Sequence, residues 1–156
     1  MLIIAFSLGA CGPTNSTETR VGDFLLTVTV DKTSARVGET VTVTAVFKNL
    51  SGKDIPIELT DWQTYYNERN EVLPEIGNIL ETLVCLEDGG FSHITILMGQ
   101  RDKMILEKDA VIRHTAEYRI EELEKHYAAA AVYFYLDGDE KKIEIISEPI
   151  KITGRR

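Results

Sequence analysis

From residue 24 onward, apolar and polar side chains alternate with a period of two, and no other feature of the chain constrains its fold as strongly. One run carries apolar residues at every second position from Phe24 to Val30, and another does so from Val41 to Phe47. Successive side chains of a β-strand point to opposite faces of a sheet, so this period is typical of strands with one buried face. The two runs predict two strands joined by the turn-forming residues 31–38.

The alternation returns along most of the remaining chain. Further strands are predicted near residues 55–59, 94–98, 103–106, 112–120, 127–136, 141–146 and 149–152, with a short hairpin over residues 61–74. Four consecutive alanines, residues 128–131, would also suit a helix. The aromatic residues that follow them and the turn Asp137-Gly138-Asp139 favour a strand. About seven to nine strands, with turn signals between them and no βαβ spacing, predict an all-β sandwich.

Residues 76–88 fit two interpretations. Asn78 followed three residues later by Glu81 is a capping-box arrangement, and the apolar residues around it have helical spacing, which predicts a short helix near residues 78–88. The alternative is a strand with Leu80, Val84 and Leu86 on one face and a turn at residues 87–90. We prefer the helix, and the strand remains open.

Residues 25–50 carry the pattern of two alternating strands around a Val-Gly-Glu-Thr turn, and this stretch resembles the first two strands of bacterial immunoglobulin-like envelope domains. Residues 106–111 stand where such domains often carry a turn, and Leu123 followed by Tyr127 stands at the corner before the penultimate strand. The resemblance implies an immunoglobulin-like β-sandwich over residues 23–154.

The N-terminus is an apolar run that ends in Leu8-Gly9-Ala10-Cys11. An apolar run closed by small residues is typical of a secretory signal. The four residues resemble the lipobox of bacterial lipoproteins. That resemblance implies that residues 1–10 are a signal peptide, that Cys11 is acylated, and that the protein is anchored in the cell envelope outside the cytoplasm. The alternative is a short buried strand that ends in an inert cysteine.

Residues 11–22 contain small and polar side chains without periodicity, which predicts a lipidated cysteine followed by a flexible tether. One acyl chain binds a membrane only marginally, and stable anchoring takes at least two. The membrane is therefore an expected partner through the lipid on Cys11. Nucleic acid is not expected, because the formal net charge is −8 and no basic stripe is visible.

Catalytic and metal-binding constellations are sparse. The candidate soft ligands or nucleophiles are Cys85, His93, His114 and His126. They do not have the spacing of known metal or Cys-His sites, so we expect no metal, no cofactor and no enzymatic activity. The carboxylates of residues 137–140 are explained by a hairpin turn, since a calcium loop needs more ligands. The acidic residues Glu117, Glu121, Glu122 and Glu124 are most simply a solvated face.

Trp62, Tyr65 and Tyr66 form the one cluster with the character of a binding site. Trp and Tyr are enriched at interaction hot spots, whereas a sandwich core also needs large aromatic residues. The leading hypothesis is a non-catalytic binding domain whose partner is a protein or a glycan. A second is a protease inhibitor that acts through loops at residues 61–70 and 99–102, and an enzyme is the third.

Quenching of Trp62 fluorescence by acrylamide distinguishes the two roles of the aromatic cluster. A binding patch predicts strong quenching, because the indole of this single tryptophan is then open to solvent. Protection from the quencher would end the binding interpretation and place Trp62 in the core.

Overall fold

Eleven β-strands and no helix make up the part of the chain that the computed structural model describes, residues 15–60, 79–86, 101–139 and 142–156. In chain order they are β1 (Ser16–Val21), β2 (Phe24–Val30), β3 (Ser34–Arg36), β4 (Thr40–Asn49), β5 (Ile55–Thr60), β6 (Leu80–Leu86), β7 (Arg101–Leu106), β8 (Val111–Arg119), β9 (Lys125–Leu136), β10 (Lys142–Ile146) and β11 (Ile150–Arg155). The predicted signal peptide, the predicted hairpin at residues 61–74 and the predicted strand at residues 94–98 lie outside these ranges.

The strands form two sheets. The first has the order β1-β2-β4-β8, and the second has the order β3-β11-β9-β5-β7, with β6 and β10 also paired to β9. Every pairing is antiparallel except that of β3 with β11. The two sheets enclose one apolar core. This arrangement of two packed sheets is an all-β sandwich, which confirms the predicted fold class.

The apolar core contains the side chains that the two-residue period predicts to be buried. The inward positions of β2 and β4 are buried (Leu26, Val28, Val30, Val41, Val43, Ala45 and Phe47). Three aromatic rings join the sheets near one end of the core: Phe24 lies 5.8 Å from Phe47 and 5.2 Å from Phe134, measured between ring centroids. Aromatic pairs at such distances add to the free energy of burial, so this cluster fixes how the two sheets face each other.

The long strand β9 is the centre of the second sheet. Residues near its start pair with β11 on one edge and with β6 on the other, and residues near its end pair with β10 and β5. The four alanines of residues 128–131 are all buried. The strand interpretation of the alanine run is therefore confirmed and the helical one is wrong, because β9 has pairing partners along both edges.

A bulge separates β10 from β11. Ile146 pairs with Ala131 and Ile150 pairs with Ala128, so three residues on one strand oppose two on β9. The buried Ser147 hydroxyl accepts a hydrogen bond from the Ala130 N–H at 3.0 Å. Pro149, which has no N–H to donate, falls within this bulge.

The helix preferred for residues 78–88 is wrong. Residues 80–86 form β6, and each of them pairs with a residue of β9. The capping-box pattern reflects local propensity only, whereas pairing with an available strand satisfies the backbone and buries Leu80. The alternative that was left open, a strand, is the one observed.

The prediction of a tether over residues 11–22 is wrong for residues 16–21, because these form β1 and pair in full with β2. The Thr17 hydroxyl also donates to the Glu148 carbonyl at 3.0 Å, which joins β1 to the β10–β11 bulge of the second sheet. An edge strand buries little of its surface, so β1 has no apolar alternation that a sequence pattern could detect. The strand β3, within the predicted turn at residues 31–38, was missed because three residues are too few to show a period.

Asn49, at the end of β4, connects the two sheets through its buried side chain. Its Nδ2 donates to the carbonyls of Lys53 at 3.0 Å, Glu107 at 2.9 Å and Leu106 at 3.3 Å. Its Oδ1 accepts from the Ser51 N–H at 3.0 Å. The side chain therefore satisfies backbone groups of the β4–β5 loop and of the β7–β8 turn at once, which a purely apolar residue could not do.

Replacing Asn49 by aspartate tests this connection. In Asn49→Asp, a carboxylate faces three carbonyl oxygens without a donor, and we expect a loss of about 3–5 kcal/mol in the free energy of unfolding. Urea denaturation at neutral pH measures it. The same chemical change at the exposed Asn15, Asn15→Asp, is the matched control and should shift stability by no more than about 0.5 kcal/mol. A similar small shift for Asn49→Asp would contradict the assigned role.

Candidate interaction surfaces

The predicted site residues Cys11, Trp62, Tyr65 and Tyr66 lie outside the described residues, and so does His93. The strands on either side of residues 61–78 are described. Thr60 ends β5, and Ile79 accepts a hydrogen bond from the Tyr133 N–H at 3.4 Å just before β6 begins. Glu58 pairs with Tyr135 and Leu80 pairs with Val132. The end of β5 and the start of β6 therefore lie beside the same four-residue stretch of β9, residues 132–135.

A polar cluster joins β6 of the second sheet to β8 of the first. The Thr82 hydroxyl lies 3.1 Å from His114 Nδ1 and 3.0 Å from the Tyr118 hydroxyl, which also donates to the Thr82 carbonyl at 2.6 Å. Thr82 is buried, and the other two side chains are half-buried. These contacts satisfy polar groups along an edge of β6 that faces away from β9, so the cluster has a structural role in closing the sandwich.

His114 and His126 lie in separate hydrogen-bonded surroundings. His126 is buried, and its Nε2 lies 3.2 Å from the Glu122 carbonyl in the β8–β9 corner. Cys85 lies on β6 opposite Tyr127. Within the described ranges, no group of three or more His, Cys, Asp or Glu side chains could hold a metal ion.

The carboxylate of Asp137 is engaged by a lysine. Its Oδ1 lies 2.6 Å from Lys103 Nζ, which also lies 3.4 Å from a carboxylate oxygen of Glu58. The hydrogen bond and positive charge of Lys103 hold the pKa of Asp137 below its usual range. The hydrogen bond and charge of Asp137, followed by those of Glu58, raise the pKa of Lys103. With Gly138 at a φ of 76°, residues 136–139 form the predicted turn.

The acidic residues Glu117, Glu121, Glu122 and Glu124 are exposed, as the sequence predicted. They lie on β8 and in the corner that leads to β9. This corner rests on Gly154, where an added Cβ would approach the Glu122 carbonyl oxygen to 2.2 Å. The backbone at this position therefore requires glycine, and it holds the acidic corner against the end of β11.

One end of the sandwich collects charged side chains of both signs from separate parts of the sequence. Its centre is the turn of residues 36–39, in which the Arg36 N–H donates to Glu39 Oε2 at 2.7 Å and the Glu39 N–H donates to the Arg36 carbonyl at 2.9 Å. The hydrogen bond from the Arg36 N–H to the Glu39 carboxylate lowers the pKa of Glu39, and so do the charges of Lys32, Arg36 and Arg155. Arg119 reaches the same turn, with a guanidinium nitrogen 3.8 Å from the position of a Cβ on Gly38.

The chain enters the sandwich at this same end. The Asn15 carbonyl, just before β1, accepts from the Val30 N–H at 2.8 Å, at the end of β2. We call this the N-terminal end. It comprises Asn15, residues 31–39, the β8–β9 corner and residues 155–156. The opposite end holds the turns at residues 22–23, 50–54, 107–110 and 137–139. Sequence patterns could not have found the cluster of cations around Glu39, because Lys32, Arg119 and Arg155 come together only in the fold.

Comparison with known proteins adds little to what the strand pairing shows about the fold. No protein-family model and no curated protein matches the chain. Among solved structures, the chain is similar to the ASH/PapD-like domain of human CEP192 (PapD-like domain 7), with 12% identity and a TM-score of 0.33 over 99% of this chain and 96% of that one. A TM-score this low leaves the fold assignment resting on the sheets themselves. No helix in the described ranges is long and apolar enough to cross a bilayer.

The Lys103–Asp137 pair predicts a specific pH dependence. Because the folded-state pKa of Asp137 is lowered from its ordinary value of 3.8, its contribution to stability is present above that pH and disappears as the pH falls through the lower folded-state pKa. Because the pKa of Lys103 is raised from 10.5, its contribution persists up to that pH and is lost above it.

Denaturation of wild type and Asp137→Asn across pH measures this dependence. We expect a constant stability difference between about pH 4 and pH 10, which shrinks on both sides of that window. Asp23→Asn makes the same charge change at an exposed turn away from Lys103 and serves as the control. A difference for Asp137→Asn that persists unchanged at pH 2 would contradict the assignment.

Proposed function

We propose that this chain is a lipid-anchored, non-catalytic binding domain of the cell envelope that contacts a protein or glycan partner. The anchor is Cys11, acylated after removal of residues 1–10. The immunoglobulin-like sandwich is the part that meets the partner. Such folds host many unrelated activities, so the proposal rests on where the N-terminal segment joins the sandwich rather than on the fold.

The observation that carries the proposal is the position of Asn15. It lies four residues after Cys11 and is held at one end of the sandwich by its hydrogen bond to Val30. Four residues of fully extended chain span about 14 Å at most. An acylated Cys11 would therefore keep the N-terminal end close to the bilayer, and the opposite end would face away from it.

The opposite end suits partner binding. Its turns are connections between strands, which tolerate variation and commonly carry binding residues on a rigid scaffold. Large apolar side chains are also exposed there, among them Leu50 and Val111. The Asn49 side chain and the Lys103–Asp137 pair hold this end in one conformation, so that a partner would meet a preorganised surface.

A protease inhibitor is the second candidate. Its two predicted loops, residues 61–70 and 99–102, would have to act together. Thr60 pairs with Arg101, which brings the start of one loop next to the end of the other, although Arg101 and Asp102 themselves belong to β7. Residual activity of a panel of serine and cysteine proteases after incubation with the purified protein distinguishes inhibition from simple binding.

Palmitate labelling in a bacterial host tests the anchor. Cys11→Ser should abolish incorporation, because the thiol that receives the lipid is gone. Cys85→Ser, the other cysteine in the chain, should leave incorporation unchanged. Equal labelling of wild type and Cys11→Ser would overturn the proposal.

A further inference from the structure

The outer edge of β8 has no strand partner in the part of the chain that the structure describes. β8 is nine residues long and ends the first sheet beyond β4. At one end of the strand, the Ile120 N–H donates to the Glu39 carbonyl at 2.9 Å. At the other end, the Ala110 carbonyl accepts from the Asn49 N–H at 3.0 Å. The even-numbered residues therefore turn their backbone groups toward β4.

The odd-numbered residues of β8 turn their backbone groups away from β4, because the direction of these groups alternates along a strand. All of them have exposed side chains: Val111, Arg113, Thr115, Glu117 and Arg119. The contacts of β8 with β6 come from the even-numbered residues, since the side chains of His114 and Tyr118 reach Thr82. A long row of backbone donors and acceptors at a sheet edge is a template for a further strand.

The exposed side chains of β8 are complementary to a second copy of themselves. If two antiparallel copies pair about a two-fold axis at Thr115, Arg113 of each lies directly opposite Glu117 of the other. The same register sets Val111, which is 59% exposed, against the aliphatic part of Arg119. A register centred on residue 113 or 117 would oppose like charges. Charge therefore favours the register centred on Thr115.

We propose that this edge of β8 binds a second copy of the chain as an antiparallel strand, so that the four-stranded first sheets of the two copies join into one continuous sheet. Backbone hydrogen bonds between the two β8 strands supply the affinity, as in other cases of strand addition. The two symmetric pairs of Arg113 with Glu117 fix the register.

The two-fold axis also fixes how the copies are oriented. β8 runs from the opposite end of the sandwich to the N-terminal end, so antiparallel pairing places the N-terminal end of each copy beside the opposite end of the other. Nine residues of strand span about 30 Å, whereas the chain from Cys11 to Asn15 spans about 14 Å at most. A pair therefore joins two facing membranes rather than two neighbours in one membrane, a step that rests on the proposed anchor.

Sedimentation velocity of the unacylated full chain, Cys11→Ser, over a range of concentrations measures the self-association. We expect an equilibrium between monomer and dimer. Adding Glu117→Arg or Arg113→Glu should weaken dimerisation about 30-fold in each case, because both symmetric charge pairs become repulsive. An equimolar mixture of the two variants should associate as strongly as the parent, since each positive side chain of one then lies opposite a negative side chain of the other.

The matched control is Glu18→Arg, the same charge change at an exposed position of β1, the other edge strand of the first sheet. It should dimerise like the parent. A parent that stays monomeric at every concentration would overturn the proposal. Equal weakening in the control would do so as well, as would a mixture that associates no better than either variant alone.

Clustering of phosphatidylcholine vesicles, followed by dynamic light scattering, tests the facing-membrane arrangement. Vesicles that carry the acylated wild type should cluster. Vesicles that carry acylated Glu117→Arg should cluster only when mixed with vesicles that carry acylated Arg113→Glu. Dimers in solution without clustering of the vesicles would overturn this arrangement. Palmitate labelling reports on the anchor separately, so failure of the strand pairing and failure of the anchor are distinguishable.

Discussion

The two-sided pairing of β9 is the constraint on which the rest of the structure depends. Its N-terminal half holds β11 on one edge and β6 on the other, and its C-terminal half holds β10 and β5. Small side chains at residues 128–131 are buried on both faces of the strand. Without β9, the strands of the second sheet would lose their common partner, because parallel β3 reaches the sheet only through β11 and β7 only through β5.

Polar contacts close the sandwich where the strands end. At the opposite end, Asn49 supplies donors to three carbonyls of neighbouring turns. Along one side, Tyr118 and His114 reach Thr82 on β6. Buried polar groups cost free energy unless they are paired, so these contacts favour one arrangement of the turns over others. The apolar core provides the driving force for collapse, and the polar contacts define which loops meet.

The two ends of the sandwich differ in how they relate to the proposed anchor. At the N-terminal end, Arg36 and Arg155 lie near Glu39, and the Val30 N–H holds the carbonyl of Asn15. The opposite end carries four turns held by side-chain hydrogen bonds and an ion pair. In the proposed orientation, the first end faces lipid and the second faces the partner, so the position of one hydrogen bond, from Val30 to Asn15, relates the membrane to the binding surface.

The sequence by itself determined the all-β class, the buried faces of β2 and β4, and the turn at residues 137–139, because burial of one face leaves a two-residue period and turns require particular residues. It also indicated the acylated cysteine and the aromatic cluster at residues 62–66, which stay predictions. Only the tertiary structure decided that residues 16–21, 34–36 and 80–86 are strands. The edge strand β1 buries too little surface to show a period, β3 is too short to show one, and β6 acquires its structure from pairing with β9. The basic cluster around Glu39 was likewise decided by the fold, because its members are separated by up to 123 positions, from Lys32 to Arg155, and no local pattern reports contacts made at such a distance.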